Sequence, residues 1–224
     1  MENLHEFEQK LHTEKDLEKK FALINEFIVK NDMRYPNKSL EYAQMQLEIA
    51  QKLDDKNMES NAYNNLGILF GYKNDYEKSL EYLFNAIKIN EELGNLLHIS
   101  HSYINVARAY FQLNDYEKAL DYLQKSYEMK IELKDPNYFR VFNNIGVIYL
   151  RTGEYDKAID CFEQYYDKCP EKDDIRVKLA YFNNLANAYT KKCDYERALE
   201  YHFKVMDYRE KDNHPIGKIS CYLN

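Results

Sequence analysis

Small, aliphatic and aromatic residues recur along this chain in a fixed order, interrupted by short polar turns. From Tyr63 the sequence reads YNNLGILFGYKNDYEKSLEYLFNAIKI, and from Tyr103 YINVARAYFQLNDYEKALDYLQKSYEM. From Phe142 it reads FNNIGVIYLRTGEYDKAIDCFEQYYDK, and from Phe182 FNNLANAYTKKCDYERALEYHFKVMDY. The copies begin 40, 39 and 40 residues apart. In the first copy Tyr63, Leu66, Gly67 and Phe70 fall at i, i+3, i+4 and i+7, one face of an α-helix. Asn74-Asp75 interrupts the pattern, as do Asn114-Asp115, Gly153-Glu154 and Cys193-Asp194 in the other copies. A second helical spacing follows through Ser79, Leu83, Ala86 and Ile87. Each copy therefore predicts a pair of helices joined by a tight turn.

Residue size supports that pairing. Gly67, Ala107, Gly146 and Ala186 in the first helices are answered by Ser79, Ala119, Ala158 and Ala198 in the second. Phe70, Tyr110, Tyr149 and Tyr189 close the first helices. Small residues let backbones approach, and large ones fill what remains. Gly94-Asn95, Asp135-Pro136, Cys169-Pro170 and His214-Pro215 mark the stops between copies.

These segments resemble the tetratricopeptide repeat family, whose signature runs from an aromatic through Asn-Leu-Gly and Tyr to Gly-Asp-Tyr-Glu-Lys-Ala. The resemblance covers roughly residues 60 to 212. It implies an all-α fold, a right-handed superhelical solenoid of antiparallel hairpins. The family's period is about 34 residues, so this chain is similar to the extended variety found in bacterial regulators. Tyr165 and Val205 depart from the pattern, standing where a small residue is expected, which predicts looser or shifted packing in the later copies.

The expected organisation is a capping segment over 1–57 with a divergent first copy, then copies over 58–97, 98–137, 138–176 and 177–216. In the cap, NKSLEYAQMQLEIAQKL parallels EKSLEYLFNAIKINEEL, and Phe21, Ile24, Phe27 and Ile28 mark the helix before it. Residues 217–224 read as the opening of a sixth copy, with Tyr222 where Tyr63, Tyr103, Phe142 and Phe182 stand, which suggests a fragment of a longer protein.

Composition narrows function more than fold. With 224 residues, 45% hydrophobic, a sizeable core is available, and a formal charge of −7 disfavours a general grip on nucleic-acid phosphates. The N-terminus is no secretory signal and no apolar run suits a membrane span, so a cytoplasmic protein is expected. Cys161, Cys169, Cys193 and Cys221 form no CxxC pair, and no GxGxxG, Walker-type or HExxH motif appears. Neither a cofactor nor enzymatic chemistry is therefore expected. His98 and His101 stand at i, i+3 without a third convergent metal ligand. His202, in place of an aromatic of the second helix, reads as a buried or half-buried structural residue.

The resemblance also implies that first helices line a concave face. Beside the packing stripe that face would carry Asn61, Asn65, Ile68 and Tyr72; His101, Asn105, Arg108 and Gln112; Arg140, Asn144, Val147 and Arg151; and Asn184, Asn187 and Lys191. The asparagines could track a peptide backbone or serve as structural ties between turns. The cations make the groove more basic than the chain and suit carboxylates. The expected function is a scaffold for a protein or peptide partner in the regulatory part of a bacterial signalling protein, with an acidic partner and a homodimer both open. The alternative is a regulator assisting dephosphorylation of a response regulator, for which Gln9, Gln44 and Gln46 can be nominated.

Overall fold

The computed structural model describes residues 4–31 and 34–211. Among them are eleven α-helices and no strand: α1 Leu4–Thr13, α2 Leu17–Asn31, α3 Pro36–Leu53, α4 Lys56–Tyr72, α5 Tyr76–Leu93, α6 Leu96–Gln112, α7 Tyr116–Glu132, α8 Arg140–Thr152, α9 Tyr155–Lys168, α10 Ile175–Lys191 and α11 Tyr195–Lys211. The all-α expectation holds. The suggested sixth copy, with Cys221 and the His214-Pro215 stop, lies outside the described residues.

The turn inside each of the four hairpins from α4 to α11 is built the same way. Asn74, Asn114, Gly153 and Cys193 adopt positive φ of 61°, 60°, 84° and 63°. The left-handed step lets the next backbone N–H turn back to the aromatic that closes the first helix. Asp75, Asp115, Glu154 and Asp194 thus donate to the carbonyls of Phe70, Tyr110, Tyr149 and Tyr189 at 2.9–3.0 Å. In three copies the carboxylate then caps the second helix, Asp75, Asp115 and Asp194 accepting from the amides of Lys78, Lys118 and Arg197.

The aromatic content has a packing reason. Tyr82 of α5 has Phe70 at 5.3 Å and Tyr63 at 6.0 Å from α4, ring centre to ring centre. Tyr122 of α7 has Tyr110 at 5.7 Å and Tyr103 at 5.5 Å, and Tyr201 of α11 has Tyr189 at 5.6 Å and Phe182 at 6.0 Å. The second-helix tyrosine is thus held between two first-helix rings, a geometry that adds to simple area burial. In α9 the same register position is Cys161, buried, with its thiol pushed up to about 11, first by burial and then by Asp160.

The chain divides into two compact units, Met1–Met129 and Lys130–Asn224. In the first, α1 lies on the first hairpin, Phe7 stacking on Phe27 at 4.2 Å and meeting Tyr42 edge-on. Ile24, Leu47, Leu66 and Leu69 continue this core into α4. Leu83 and Ile87 of α5 then meet Ile99 and Val106 of α6. Buried hydroxyls and amides tie helices together: Ser79 Oγ donates to the Gly67 carbonyl at 2.6 Å, Asn90 Nδ2 to Ser60 Oγ at 2.7 Å, and Ser126 Oγ to the Ser100 carbonyl at 2.8 Å.

In the second unit, Phe162 of α9 fills the space above Gly146 and is wholly buried. Tyr165, where a small residue was expected, is half-buried. Helix α8 has 13 residues against 17 in α4, α6 and α10, and Phe139, just before it, sets its ring 5.7 Å from Tyr165. Val205, the other departure, is buried at 3% exposure. His202 corrects the sequence reading, since it is exposed. The packed aromatic is Tyr201, and His202 occupies the register of Leu83, Leu123 and Phe162. Leu83 shares its cluster with the following first helix, and no described helix follows α11. Tyr195, Leu199, Phe203 and Met206, one stripe along α11, are exposed for the same reason.

Candidate functional site

The first helices stand side by side within each unit, α4 beside α6 and α8 beside α10. On α4 and α6, Asn61, His101 and Arg108 are exposed while Asn65 and Asn105 are half-buried. On α8 and α10, Arg140, Arg151, Asn187 and Lys191 are exposed while Asn144 and Asn184 are half-buried.

Three of the six asparagines of the ladder, Asn65, Asn105 and Asn184, are occupied within the stack. Asn65 Nδ2 donates to Gln46 Oε1 at 2.9 Å and Asn25 Oδ1 at 3.0 Å. Asn105 Nδ2 donates to Asn64 Oδ1 at 3.2 Å, and Asn184 Nδ2 to Asn143 Oδ1 at 2.8 Å. The last two bonds join adjacent first helices across 41 residues of sequence. Such a bond contributes about 0.5–1.5 kcal/mol, so these amides act as ties between repeats. Of the two readings open for the ladder, the structure supplies partners for the tie.

The cations differ in kind. Arg108 Nη2 donates to Asn105 Oδ1 at 2.6 Å, and its guanidinium lies 5.6 Å from the Tyr72 ring centre. Neither contact neutralises it. Arg151 and Lys191 likewise have no carboxylate partner among the described residues, whereas Arg140 reaches Glu171 at 4.0 Å with both side chains mostly exposed. An exposed pair of that kind contributes at most about 1 kcal/mol. Other cations are paired: Lys78 with Asp75, Lys118 with Asp115, Lys125 with Asp121, Lys157 with Glu154 and Lys204 with Glu200 on second helices and their caps, and Lys56 with Glu59 and Arg176 with Asp174 on first helices.

Around Arg108 the surface is hollowed. A cleft of about 210 Å³ opens between α4, α5 and α6, with Ile68, Gly71, Tyr72, Tyr76, Arg108 and Gln112 among its walls. The sequence reading placed Ile68, Tyr72, Arg108 and Gln112 on this face but missed the hollow. The available signal was Gly71, which stands in the register of Phe111, Leu150 and Thr190.

Among the three glutamines nominated for dephosphorylation, Gln46 is fully buried, and its amide donates to the Phe21 carbonyl at 3.2 Å while accepting from Asn65. It cannot orient an attacking water. Gln9 and Gln44 are exposed. Among the described residues no group of three or more histidine, cysteine or acidic side chains could hold a metal, and no helix is long and apolar enough to cross a membrane.

By sequence, no curated protein matches this chain. Solved structures do match in fold. BtubC (BKLC) from P. vanneervenii superposes with a TM-score of 0.65 at 18% identity, covering 93% of this chain and 94% of its own. Aspartyl phosphate phosphatase F from Bacillus subtilis gives 0.71 at 20%, covering 97% of this chain and 58% of its own. A Rap protein complexed with Competence and Sporulation Factor gives 0.68 at 18%, covering 91% and 68%. Sequence profiles described as tetratricopeptide repeat match residues 74–132, 98–171 and 180–216. This chain belongs to the tetratricopeptide repeat family.

Proposed function

We propose that the chain is a protein-interaction scaffold whose first helices present uncompensated cations to an acidic protein or peptide partner. The carrying observation is where the cations go unpaired. In a chain of net charge −7, Arg108, Arg151 and Lys191 on first helices have no carboxylate partner among the described residues. Guanidinium groups in that state favour carboxylates, which they can hold through two parallel bonds. Within each unit the inter-helix asparagine ties hold the first helices beside one another, so each unit's cations sit on helices fixed in place rather than on loose ends.

The fold likeness to a Rap protein complexed with Competence and Sporulation Factor supports the reading that hairpins of this kind can hold a partner. By the same analogy the scaffold would work in cytoplasmic bacterial signalling, as the regulatory part of a larger protein. The alternative, assistance to dephosphorylation, now rests on Gln9 and Gln44 alone.

Selection of a displayed random peptide library against the whole chain tests the scaffold. Acidic peptides should be enriched, and Arg108→Glu/Arg151→Glu should abolish their capture with the helical circular dichroism unchanged. Failure to enrich any peptide, or capture that survives the double substitution, would refute it.

A further inference from the structure

The cleft beside Arg108 exists because one repeat omits a side chain that its siblings carry. Phe111, Leu150 and Thr190 occupy the register of Gly71, and Ala119, Ala158 and Ala198 occupy that of Ser79. The two differences are coupled. A Cβ on Gly71 would lie 3.3 Å from Ser79 Oγ, and that hydroxyl is fixed by its bond to the Gly67 carbonyl. The result is a hollow of about 210 Å³, room for about seven waters at about 30 Å³ each, or for one amino-acid residue.

Its chemistry is two-sided. Ile68, Leu83 and Ala109 give the hollow an apolar wall, and the Arg108 guanidinium contributes its charge. Arg108 is held by Asn105 and faced by Tyr72, while Asn105 is in turn held by Asn64, so the cation is positioned before any ligand arrives. Preorganisation of this kind lowers the ordering cost of binding.

We propose that this cleft is a preformed subsite for a carboxylate carried on a short aliphatic stem, supplied by one residue of a partner peptide. The inference rests on the scaffold reading and deepens it. Two sources share the chemistry: an acidic side chain within a peptide, or the carboxylate of a chain-terminal aliphatic residue.

The test is nitrogen-15 NMR titration of the full chain with three small probes: N-acetyl-leucine, N-acetyl-glutamic acid α-amide, and neutral N-acetyl-leucinamide. Saturable shifts of the Gly67, Gly71, Asn105 and Arg108 amides with either acid, absent with leucinamide, are expected. The tighter acid names the source. Arg108→Gln should weaken acid binding at least tenfold. Gly71→Leu/Ser79→Ala, which installs the pair found at Leu150 and Ala158, should fill the hollow and remove the shifts without lowering the melting temperature. No saturable shift with either acid, equal response to leucinamide, or undiminished binding by both variants overturns the subsite. Should the probes fail while library peptides are still captured and still lost in Arg108→Glu/Arg151→Glu, the subsite falls and the scaffold stands. Should neither probes nor peptides bind, both fall.

Discussion

Substituting Gly146 with alanine probes how tightly a hairpin closes. A Cβ there would lie 2.6, 2.9 and 3.1 Å from three ring carbons of Phe162, where carbon atoms rest at about 3.5–4.0 Å. The ring would have to retreat by nearly 1 Å at its closest point, yet it is wholly buried. Overpacking of this kind costs about 1–3 kcal/mol. The higher helix propensity of alanine returns about 1 kcal/mol, leaving a net loss of up to about 2 kcal/mol. At 4–8 °C per kcal/mol for a unit of about 60–100 residues, the melting temperature should fall by up to about 16 °C.

The chain supplies its own control. In α6 and α7 the same two positions hold Ala107 and Leu123, both buried, so in that hairpin an alanine is accommodated opposite a leucine. Phe162→Leu alone should cost about 1–2 kcal/mol through lost ring contacts. The double substitution Gly146→Ala/Phe162→Leu should be more stable than the sum of the singles by about 1–2 kcal/mol. Urea denaturation of the four chains, followed by circular dichroism, gives the cycle. If Gly146→Ala raises stability, or if the singles add to within about 0.5 kcal/mol, the proposed fit of Phe162 on Gly146 is wrong.

Four further outcomes are expected. Asn184→Ala should lower stability by about 0.5–1.5 kcal/mol by removing the tie to Asn143, while Arg108→Ala should leave the urea midpoint nearly unchanged; equal effects would erase the division between ties and free cations. At pH 8 the Cys161 thiol, held near 11 by burial, is about one-thousandth thiolate, so mass spectrometry should find iodoacetamide on exposed Cys193 while Cys161 stays unmodified in the native chain. The Arg176 guanidinium and backbone amides at the start of α10 hold the Asp174 carboxyl down to about 2, from 3.8. A depressed folded value contributes stability present above about 3.8 and lost as the pH falls toward about 2. The protection factors of the amides at the start of α10 should fall as the pH drops across that window in the native chain and change less in Asp174→Ala. Finally, Lys130 and Asp135 form a buried ion pair, 3% and 8% exposed, at the end of α7; Asp135→Ala, which leaves the ammonium buried alone, should cost about 3–5 kcal/mol in the urea assay.

What the sequence revealed, and what it hid, follows from how far apart the interacting residues stand. Helix spacing, the short polar turns and the small residues of the hairpin seam depend on residues a few positions or one hairpin apart, and four copies repeat them, so periodicity alone exposes them. The asparagine ties are harder to read because the acceptors, Asn64 and Asn143, lie in the preceding repeat and one of the four copies breaks the pattern with Ile104. A row of polar residues on a helix face looks alike whether it meets solvent or the neighbouring helix. His202 was misplaced by one register position, and a one-residue slip on a helix turns a side chain by about 100°, enough to exchange a ring clasp for an open edge. Lys130 escaped notice because its aligned neighbour Asn90 already uses that buried site for a polar bond to Ser60, so the position tolerates polarity and a lysine there is not anomalous until its partner Asp135 is seen. The cleft at Gly71 is the reverse case. Its signal is a departure from the repeat, not conformity with it, and a departure becomes a site only when the space it vacates is flanked by a cation with no carboxylate of its own.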